Sequence, residues 1–278
     1  FGDFDIEFRF PEAPSGAIAQ SFANAEAFWE TQILDYSSQE LADGTTTRLR
    51  QYAEGELSAL LPGVPARPET TALIEVTFEQ FDGVGGSLSA GGVKRVFATD
   101  EGRFVSVVGD ISFDIMDIET LAARDFLAPV VTRRVGIALG FGSMFRLQGL
   151  VDDSGPVPAY IGEFGLSTYN REFDNTDTSI PFDTTFPNLP VLPLWDERSF
   201  GDFGSTSNPE LFTRILTANT YVSDTSIATF DDLGYVTRLD HSAAPVSVVP
   251  LPPSALLLLG GIGILALGRT RKRGRATA

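Results

Sequence analysis

The chain has 278 residues, of which 43% are hydrophobic, and this composition is typical of a folded globular protein and excludes a disordered one. Its net charge of −17 at pH 7 is unevenly distributed, because residues 269–278 hold five cations and no acid. Residues 1–268 therefore carry 15 cations against 37 acids, a net charge of −22. Such a domain repels nucleic acid, so we expect no nucleic-acid partner.

The composition also limits the chemistry of the chain. Cysteine is absent, which excludes disulfides and thiolate chemistry, and His241 is the single histidine. The chain begins at Phe1 without a methionine or a signal peptide. Because the C-terminal segment predicts export, we expect that a signal peptide has been removed.

The N-terminal third predicts two strands and a helix. Residues 3–10 alternate apolar and polar side chains, as a half-buried strand does. Ser15 is placed to cap a helix whose apolar residues continue at helical spacing to Ile33. Residues 72–81 predict a second strand, and the glycine-rich segment 82–86 predicts a turn.

The middle of the chain predicts further strands and one long helix. Strands are predicted at 93–98 and 103–108. The segment 111–117 then leads into an amphipathic helix from about 117 to 138. The glycines within 140–142 are typical of a helix C-terminus.

The last part of the domain predicts little regular structure. Residues 150–209 are rich in Pro, Gly, Asp, Asn, Ser and Thr and predict a long, aromatic, loop-like segment. A short helix is predicted near 223–232, and a polar linker at 239–248. This order of strand, helix, strands, long helix and irregular C-terminal part predicts an α+β domain over residues 1–238.

An uncharged apolar segment at 251–268 precedes the C-terminal cations, which are Arg269, Arg271, Lys272, Arg273 and Arg275. A helix of this length reaches about 27 Å, close to the thickness of a bilayer core. The segment predicts a single transmembrane helix, with the C-terminus in the cytoplasm and the acidic domain outside the membrane. The alternative is a buried core helix, although such a helix rarely ends in clustered cations.

Residues 249–275 as a whole resemble a known sorting signal. Before the apolar span and the Arg-rich end, the motif reads Val249, Pro250, Leu251, Pro252 and Pro253. It resembles the VPLPA-CTERM signal, a relative of PEP-CTERM, with proline at 253 where that family usually has alanine. The resemblance implies a Gram-negative type of bacterium and an inner-membrane anchor. It also implies cleavage by an exosortase-type transpeptidase and delivery to the cell surface or extracellular matrix.

The segment from 111 to 150 resembles bacterial leishmanolysin-like zinc metallopeptidases, which are metzincin-type enzymes. In that family a Phe-Asp strand end precedes a helix with His-Glu-x-x-His and then Leu-Gly-Phe-Gly, which residues 139–142 match. Two histidines four residues apart share a helical face and bind one zinc, and the glutamate activates the zinc-bound water. The resemblance runs from about residue 3 to 238 and includes the closing segment 226–235.

The resemblance departs from the family at the positions that carry the chemistry. The first histidine, the glutamate and the second histidine are replaced by Arg133, Arg134 and Ile137. The third histidine is replaced by Leu194, and the methionine beneath the metal by Phe212. Arginine stays protonated and has no lone pair to donate, and the aliphatic side chains have no donor atom. We therefore expect no zinc and no catalytic residue at this place.

These observations predict a metallopeptidase-like domain without activity, which binds a peptide, a surface polysaccharide or another surface protein, or serves as a structural component of the matrix. His241 is expected to be a solvent-exposed linker residue. One alternative is that the resemblance is chance and that 117–142 is an ordinary amphipathic helix. Another is an active hydrolase with an atypical metal arrangement or with paired carboxylates. The paired acids, which we otherwise expect to be solvated loop residues, are Asp152, Asp153, Asp174, Asp177, Asp196, Glu197, Asp231 and Asp232.

Overall fold

A five-stranded mixed sheet forms one layer of the fold. The computed structural model describes residues 4–36, 50–51, 71–98, 103–184, 193–200 and 209–239. The first six strands are β1 (Asp5–Arg9), β2 (Ile33–Tyr36), β3 (Arg50–Gln51), β4 (Thr71–Glu79), β5 (Ser89–Ala98) and β6 (Phe104–Asp114). The sheet has the order β1-β4-β6-β5-β3. The strands β1, β4 and β6 are parallel, whereas β5 runs antiparallel to both of its neighbours.

Helices cover this sheet and form the second layer. The helices are α1 (Gly16–Gln32), α2 (Ile118–Ala123), α3 (Leu127–Ala138), α4 (Glu163–Glu172) and α5 (Asp224–Asp232). The remaining strands are β7 (Val151–Asp152), β8 (Ala159–Tyr160), β9 (Ile180–Pro181) and β10 (Tyr235–Thr237). The helix α3 packs against α1, β5 and β6, while α4 packs against α5. The domain is therefore a mixed α+β fold, as predicted.

The core lies around α3 and consists largely of aromatic rings. The rings of Phe141 and Phe212 stack with centroids 3.6 Å apart, and Trp195 meets Phe141 edge to face at 5.3 Å. Gly136 permits this packing, since a Cβ there would lie 2.6 Å from atoms of both Trp29 and Phe212. These side chains are fully buried, and burial of large apolar surfaces is the main stabilising term of such a domain.

Strands β1 and β4 and helix α1 follow the sequence predictions, and the predicted turn at 82–86 contains Gly83 and Gly85 at positive φ. Strands β5 and β6 are longer than predicted, and β2 and β3 were not predicted. The single long helix predicted over 117–138 is wrong, because the chain breaks between α2 and α3. Asp125 lies in the left-handed region with φ 54°, and the amide of Phe126 donates to the Leu121 carbonyl at 2.9 Å. Aspartate tolerates this conformation, so hydrophobic spacing alone did not reveal the break.

The loop-like segment predicted over 150–209 is also wrong in part, because it contains α4 and the strands β7, β8 and β9. The start of α4 is capped from a distance, since Asp232 accepts the amides of Phe164 and Gly165 at 3.0 and 2.8 Å. The first of these pairs is separated by 68 residues, which explains why the local sequence carries no capping signal.

The C-terminal predictions fall outside the described residues. This applies to the linker beyond Leu239, to His241, to the sorting motif Val249–Pro253 and to the predicted transmembrane helix at 251–268. Within the described ranges, no helix has the length and apolar character needed to cross a membrane.

Candidate functional site

Two consecutive arginines of α3 extend in different directions. Successive residues of an α-helix are rotated by about 100°, so neighbouring side chains do not share a face. Arg133 reaches the turn formed by residues 210–215, while Arg134 reaches Ser89 at the start of β5. The helix α3 is therefore bonded to β5 on one side and to the 210–215 turn on the other.

The guanidinium of Arg133 binds main-chain oxygens of the 210–215 turn. Its Nε donates to the carbonyl of Leu211, and its Nη2 donates to those of Thr213 and Ile215 at 2.6 and 3.2 Å. Burial lowers the pKa of Arg133 to about 10, an effect that the charge of Glu210 partly offsets. At neutral pH Arg133 is therefore a cation bonded within the fold.

Glu210 begins the turn and is fully buried. Its carboxylate accepts the amide of Phe212 at 2.5 Å and the hydroxyl of Ser226 at 2.7 Å. It also accepts the amide and the hydroxyl of Ser223, at 3.3 and 3.2 Å. Burial raises the pKa of Glu210 to about 7, although the hydrogen bonds and the charge of Arg133 act in the opposite direction.

Trp195 joins the same network from a different part of the chain. Its indole Nε1 donates to the hydroxyl of Ser226 at 2.8 Å, and its amide donates to the carbonyl of Phe212 at 2.9 Å. Residues Glu210, Ser223, Ser226 and Trp195, here called the Glu210 network, thus connect the turn, the N-terminus of α5 and the 193–195 segment. The sequence does not reveal this network, because its members are far apart in the chain.

The five positions named by the family resemblance do not form a zinc site. Three of these positions lie around the 210–215 turn: Arg133 bonds to its carbonyls, and Phe212 is part of it. Leu194 lies next to the turn, because the carbonyl of Phe212 accepts the amide of Trp195, the following residue. Ile137 is 2% exposed, and its Cγ2 lies 3.9 Å from where a Cβ on Gly92 would stand. The guanidinium groups at the two arginine positions stay protonated and have no free lone pair for a metal. The other three side chains have no donor atom.

The rest of the described structure is also without an evident metal centre. Across its ranges, no group of three or more His, Cys, Asp or Glu side chains is arranged to hold a metal ion. The carbonyl oxygens of the 210–215 turn accept hydrogen bonds from a cation already. The residues present therefore do not fit the zinc that the family resemblance would imply.

Arg134 has a different environment from Arg133. Its Nε donates to the hydroxyl of Ser89 at 2.7 Å, and its Nη2 donates to the carbonyl of the same residue at 2.6 Å. Burial lowers its pKa. Within the described ranges, no carboxylate forms an ion pair with Arg134.

The prediction that the paired acids are solvated loop residues is wrong for Asp232, which is 5% exposed. Its carboxylate accepts the Tyr160 hydroxyl at 2.6 Å as well as two amides at the start of α4. Burial raises the pKa of Asp232. The neighbouring Asp231 accepts the amide and hydroxyl of Thr237, so both carboxylates hold main-chain segments together.

Comparison of the sequence with models of protein families and with curated proteins finds no match.

Replacing Arg133 with methionine should destabilise the domain. The change leaves three turn carbonyls without their donor and Glu210 without its nearby positive charge. We expect a loss of about 3 kcal/mol or more in the free energy of unfolding, measured by urea denaturation at pH 7. The control is Arg146→Met, which removes an exposed ion pair with Asp153 and should cost less than about 1 kcal/mol. Equal effects of the two changes would contradict the role of Arg133.

Replacing Glu210 with glutamine should change how stability depends on pH. The folded-state pKa is about 7 and the ordinary value is 4.5, so between these pH values the folded protein retains a proton that the unfolded chain releases. This group therefore stabilises the fold fully below pH 4.5, and its contribution is lost as pH rises to about 7.

Between pH 4.5 and 7.5, the free energy of unfolding of the natural chain should fall by about 3 kcal/mol relative to that of the Glu210→Gln variant. The measurement is urea denaturation of both proteins across this range, in which the contributions of the other acids cancel. A stability difference that does not change with pH would show that Glu210 titrates normally.

Proposed function

We propose that this chain is an exported, exosortase-sorted surface or matrix protein with a metallopeptidase-like domain that lacks zinc ligands and acts by binding or as a structural component. The observation that carries this proposal is the position of the Arg133 guanidinium. It stands where the family resemblance expects the first metal ligand, and it donates to carbonyls of the turn that the resemblance places beneath the metal.

Charge and donor chemistry support the absence of zinc-assisted hydrolysis. A divalent cation at this position would meet a protonated guanidinium, and Arg134 adds a second positive charge on the next residue of α3. The guanidinium also cross-links α3 to the 210–215 turn, because it donates to three main-chain oxygens of the turn. A structural metal ion would connect the same elements in the family. In this proposal the chain has kept the cross-link between helix and turn and has lost the reactive centre.

The localisation proposed here depends on the C-terminal sequence. The apolar segment at 251–268 and the following cations would hold the protein in the inner membrane with its C-terminus in the cytoplasm. An exosortase-type enzyme would then cut near Val249–Pro253 and deliver the acidic domain to the surface or matrix. The net charge of −22 over residues 1–268 suits a soluble surface domain.

A second candidate function is a hydrolase that uses a carboxylate in place of a metal. The pKa of about 7 at Glu210 favours it, because a general acid or base works best when its pKa is near the working pH. Against it, Glu210 is fully buried and its carboxylate accepts four hydrogen bonds from Phe212, Ser223 and Ser226. We therefore favour the binding or structural role.

Metal analysis combined with a protease assay tests the proposed loss of activity. We expect the full chain, purified in mild detergent, to hold no stoichiometric zinc and to leave casein uncut with or without a chelator. Stoichiometric zinc together with chelator-sensitive cleavage would refute the proposal. Cleavage that persists with chelator and disappears in Glu210→Gln would favour the carboxylate hydrolase.

Reintroduced histidines supply a positive control for the same experiment. A variant with Arg133→His, Ile137→His and Leu194→His should bind one zinc or cobalt ion, with the cobalt spectrum of a tetrahedral site, if these positions correspond to the ligand set. A matched variant with histidines at Gln20 and Asn24, four residues apart on the exposed face of α1, should bind more weakly because it lacks a third ligand. Equal affinities would argue against the proposed correspondence.

Fractionation of the producing bacterium tests the sorting proposal. Replacing Pro250, Pro252 and Pro253 with alanine should leave the chain in the inner membrane, because the processing enzyme no longer recognises the motif. The natural chain should instead be found at the surface or in the matrix, shortened at its C-terminus as judged by mass spectrometry. The same replacements at Pro11 and Pro14 are the control and should not alter sorting. Surface delivery of the motif variant would contradict the proposal.

A further inference from the structure

A small cleft separates the N-terminal half of α1 from the turn between α2 and α3. Gln20, Ser21 and Asn24 line it from α1, and Asp125 and Leu127 line it from the opposite side. Helix residues three or four positions apart lie on the same face, which explains why these α1 side chains meet one cavity. These five residues and the space between them, here called the α1 cleft, enclose about 170 Å³.

The cleft is open because small side chains meet where the helices pack. Helix α1 contacts both α2 and α3. The lining at this contact includes Ala17, Ala122 and Ala128, which are too short to fill the space. The residue at the helix break, Asp125, adopts φ 54°, a left-handed conformation that is uncommon outside glycine and that recurs at ligand-binding sites.

The α1 cleft has an apolar floor and a polar rim. Leu127 is 1% exposed and forms the floor together with half-buried alanines. Ser21 is 7% exposed, whereas Gln20, Asn24 and Asp125 are exposed at the opening. A ligand that enters would therefore place an apolar surface on Leu127 and polar groups at the rim, which is the usual arrangement of a small-molecule site.

The rim combines hydrogen-bond donors with acceptors. The Nε2 of Gln20 donates to the Oδ1 of Asn24 at 2.8 Å, so the two amides are held side by side. Each amide has two N–H donors and one oxygen acceptor, and this bond uses only part of that capacity. The Asp125 carboxylate accepts hydrogen bonds. Neighbouring hydroxyl groups, which both donate and accept, match this set of groups.

The size of the cleft suits a single ring. A cavity of about 150 Å³ holds one benzene molecule, and the α1 cleft is close to this volume, at about 170 Å³. An extended peptide advances about 3.3 Å per residue and would need a longer groove to bind through several residues. A sugar ring of this size presents both hydroxyl groups and an apolar C–H face.

We propose that the α1 cleft binds one uncharged sugar ring, as a terminal or branch residue of a neutral polysaccharide. The inference deepens the proposed binding function and rests on it. The C–H face of the ring would lie on Leu127, and its hydroxyls would bond to Gln20, Asn24 and Asp125. Because these polar side chains are exposed, the rest of the polysaccharide can leave through the opening.

The charge of the domain favours a neutral sugar over a uronic acid. Residues 1–268 have a net charge of −22, which repels a polyanion at a distance. The carboxylate of Asp125 adds a local negative charge at the rim, where a sugar carboxylate would come close to it. A hydroxyl can donate to the Asp125 carboxylate, but an ionised carboxylate cannot.

Titration of the full chain with glycosides, in a detergent without sugar headgroups, tests the inference. The probes are methyl glucoside, methyl galactoside and methyl mannoside, the uronic-acid form of each, and a neutral hexasaccharide of each sugar. Saturation-transfer NMR should give at least one neutral glycoside a dissociation constant of about 1 to 10 mM. Its uronic-acid form should bind about tenfold more weakly, and its hexasaccharide at least as tightly.

Variants then assign the binding to the α1 cleft. Asp125→Asn should weaken binding of the neutral glycoside about tenfold and reduce its preference over the uronic acid, because the charged acceptor is lost. Asparagine also tolerates the left-handed conformation, so this variant should fold. Asn24→Leu removes one amide from the exposed rim and should weaken binding by a similar factor. The matched control Asp153→Asn, at the exposed pair with Arg146, should leave binding unchanged.

Three results would overturn the inference, provided that circular dichroism shows each variant to be folded. They are no binding of any neutral glycoside, binding that Asp125→Asn and Asn24→Leu leave unchanged, and tighter binding of the uronic acids. A hexasaccharide that binds more weakly than its methyl glycoside would refute the polysaccharide as the source of the ring. Chelator-sensitive cleavage of casein by a zinc-containing chain would instead refute the proposed function, so the two failures are distinguishable.

Discussion

The guanidinium of Arg133 joins α3 to the 210–215 turn, and much of the described structure depends on this bond between helix and turn. Three main-chain carbonyls of the turn accept its hydrogen bonds. The turn begins at Glu210, whose buried carboxylate accepts hydrogen bonds from Phe212, Ser223 and Ser226. A half-buried cation and a fully buried carboxylate thus organise one turn, and each would be costly to desolvate without its hydrogen bonds.

Aromatic packing and polar bonding reinforce each other at this place. Phe212 stacks on Phe141 within the core, while its amide and carbonyl bond to Glu210 and Trp195. Gly136 lets the ring of Phe212 approach α3 closely. The resulting position of the turn is specified by both shape and hydrogen bonding, which is the combination that gives a unique core arrangement. Arg134, the next residue of α3, bonds instead to Ser89 at the start of β5.

Strands β1 and β4 and helix α1 could be predicted from the sequence, because their hydrophobic periodicity is regular and local. The break before α3 and the presence of α4 could not. The first depends on the left-handed conformation of Asp125, which hydrophobic spacing does not report, and the second on a cap supplied by Asp232 from much later in the chain. The candidate site follows the same rule. Positions 133, 134 and 137 could be named from a motif, but their partners could not be, because those partners are main-chain oxygens and distant residues.

The sequence by itself determined the charge of the domain, the absence of cysteine, the α+β class, and side chains at 133, 137 and 194 that cannot ligate a metal. These properties depend on residue type and local order alone. Only the tertiary structure decided that Arg133 binds the turn, that Glu210 is buried with a raised pKa, and that Arg134 bonds to Ser89 at the start of β5. Burial and hydrogen bonding are created when segments far apart in the chain meet, and no local pattern records which segments those are.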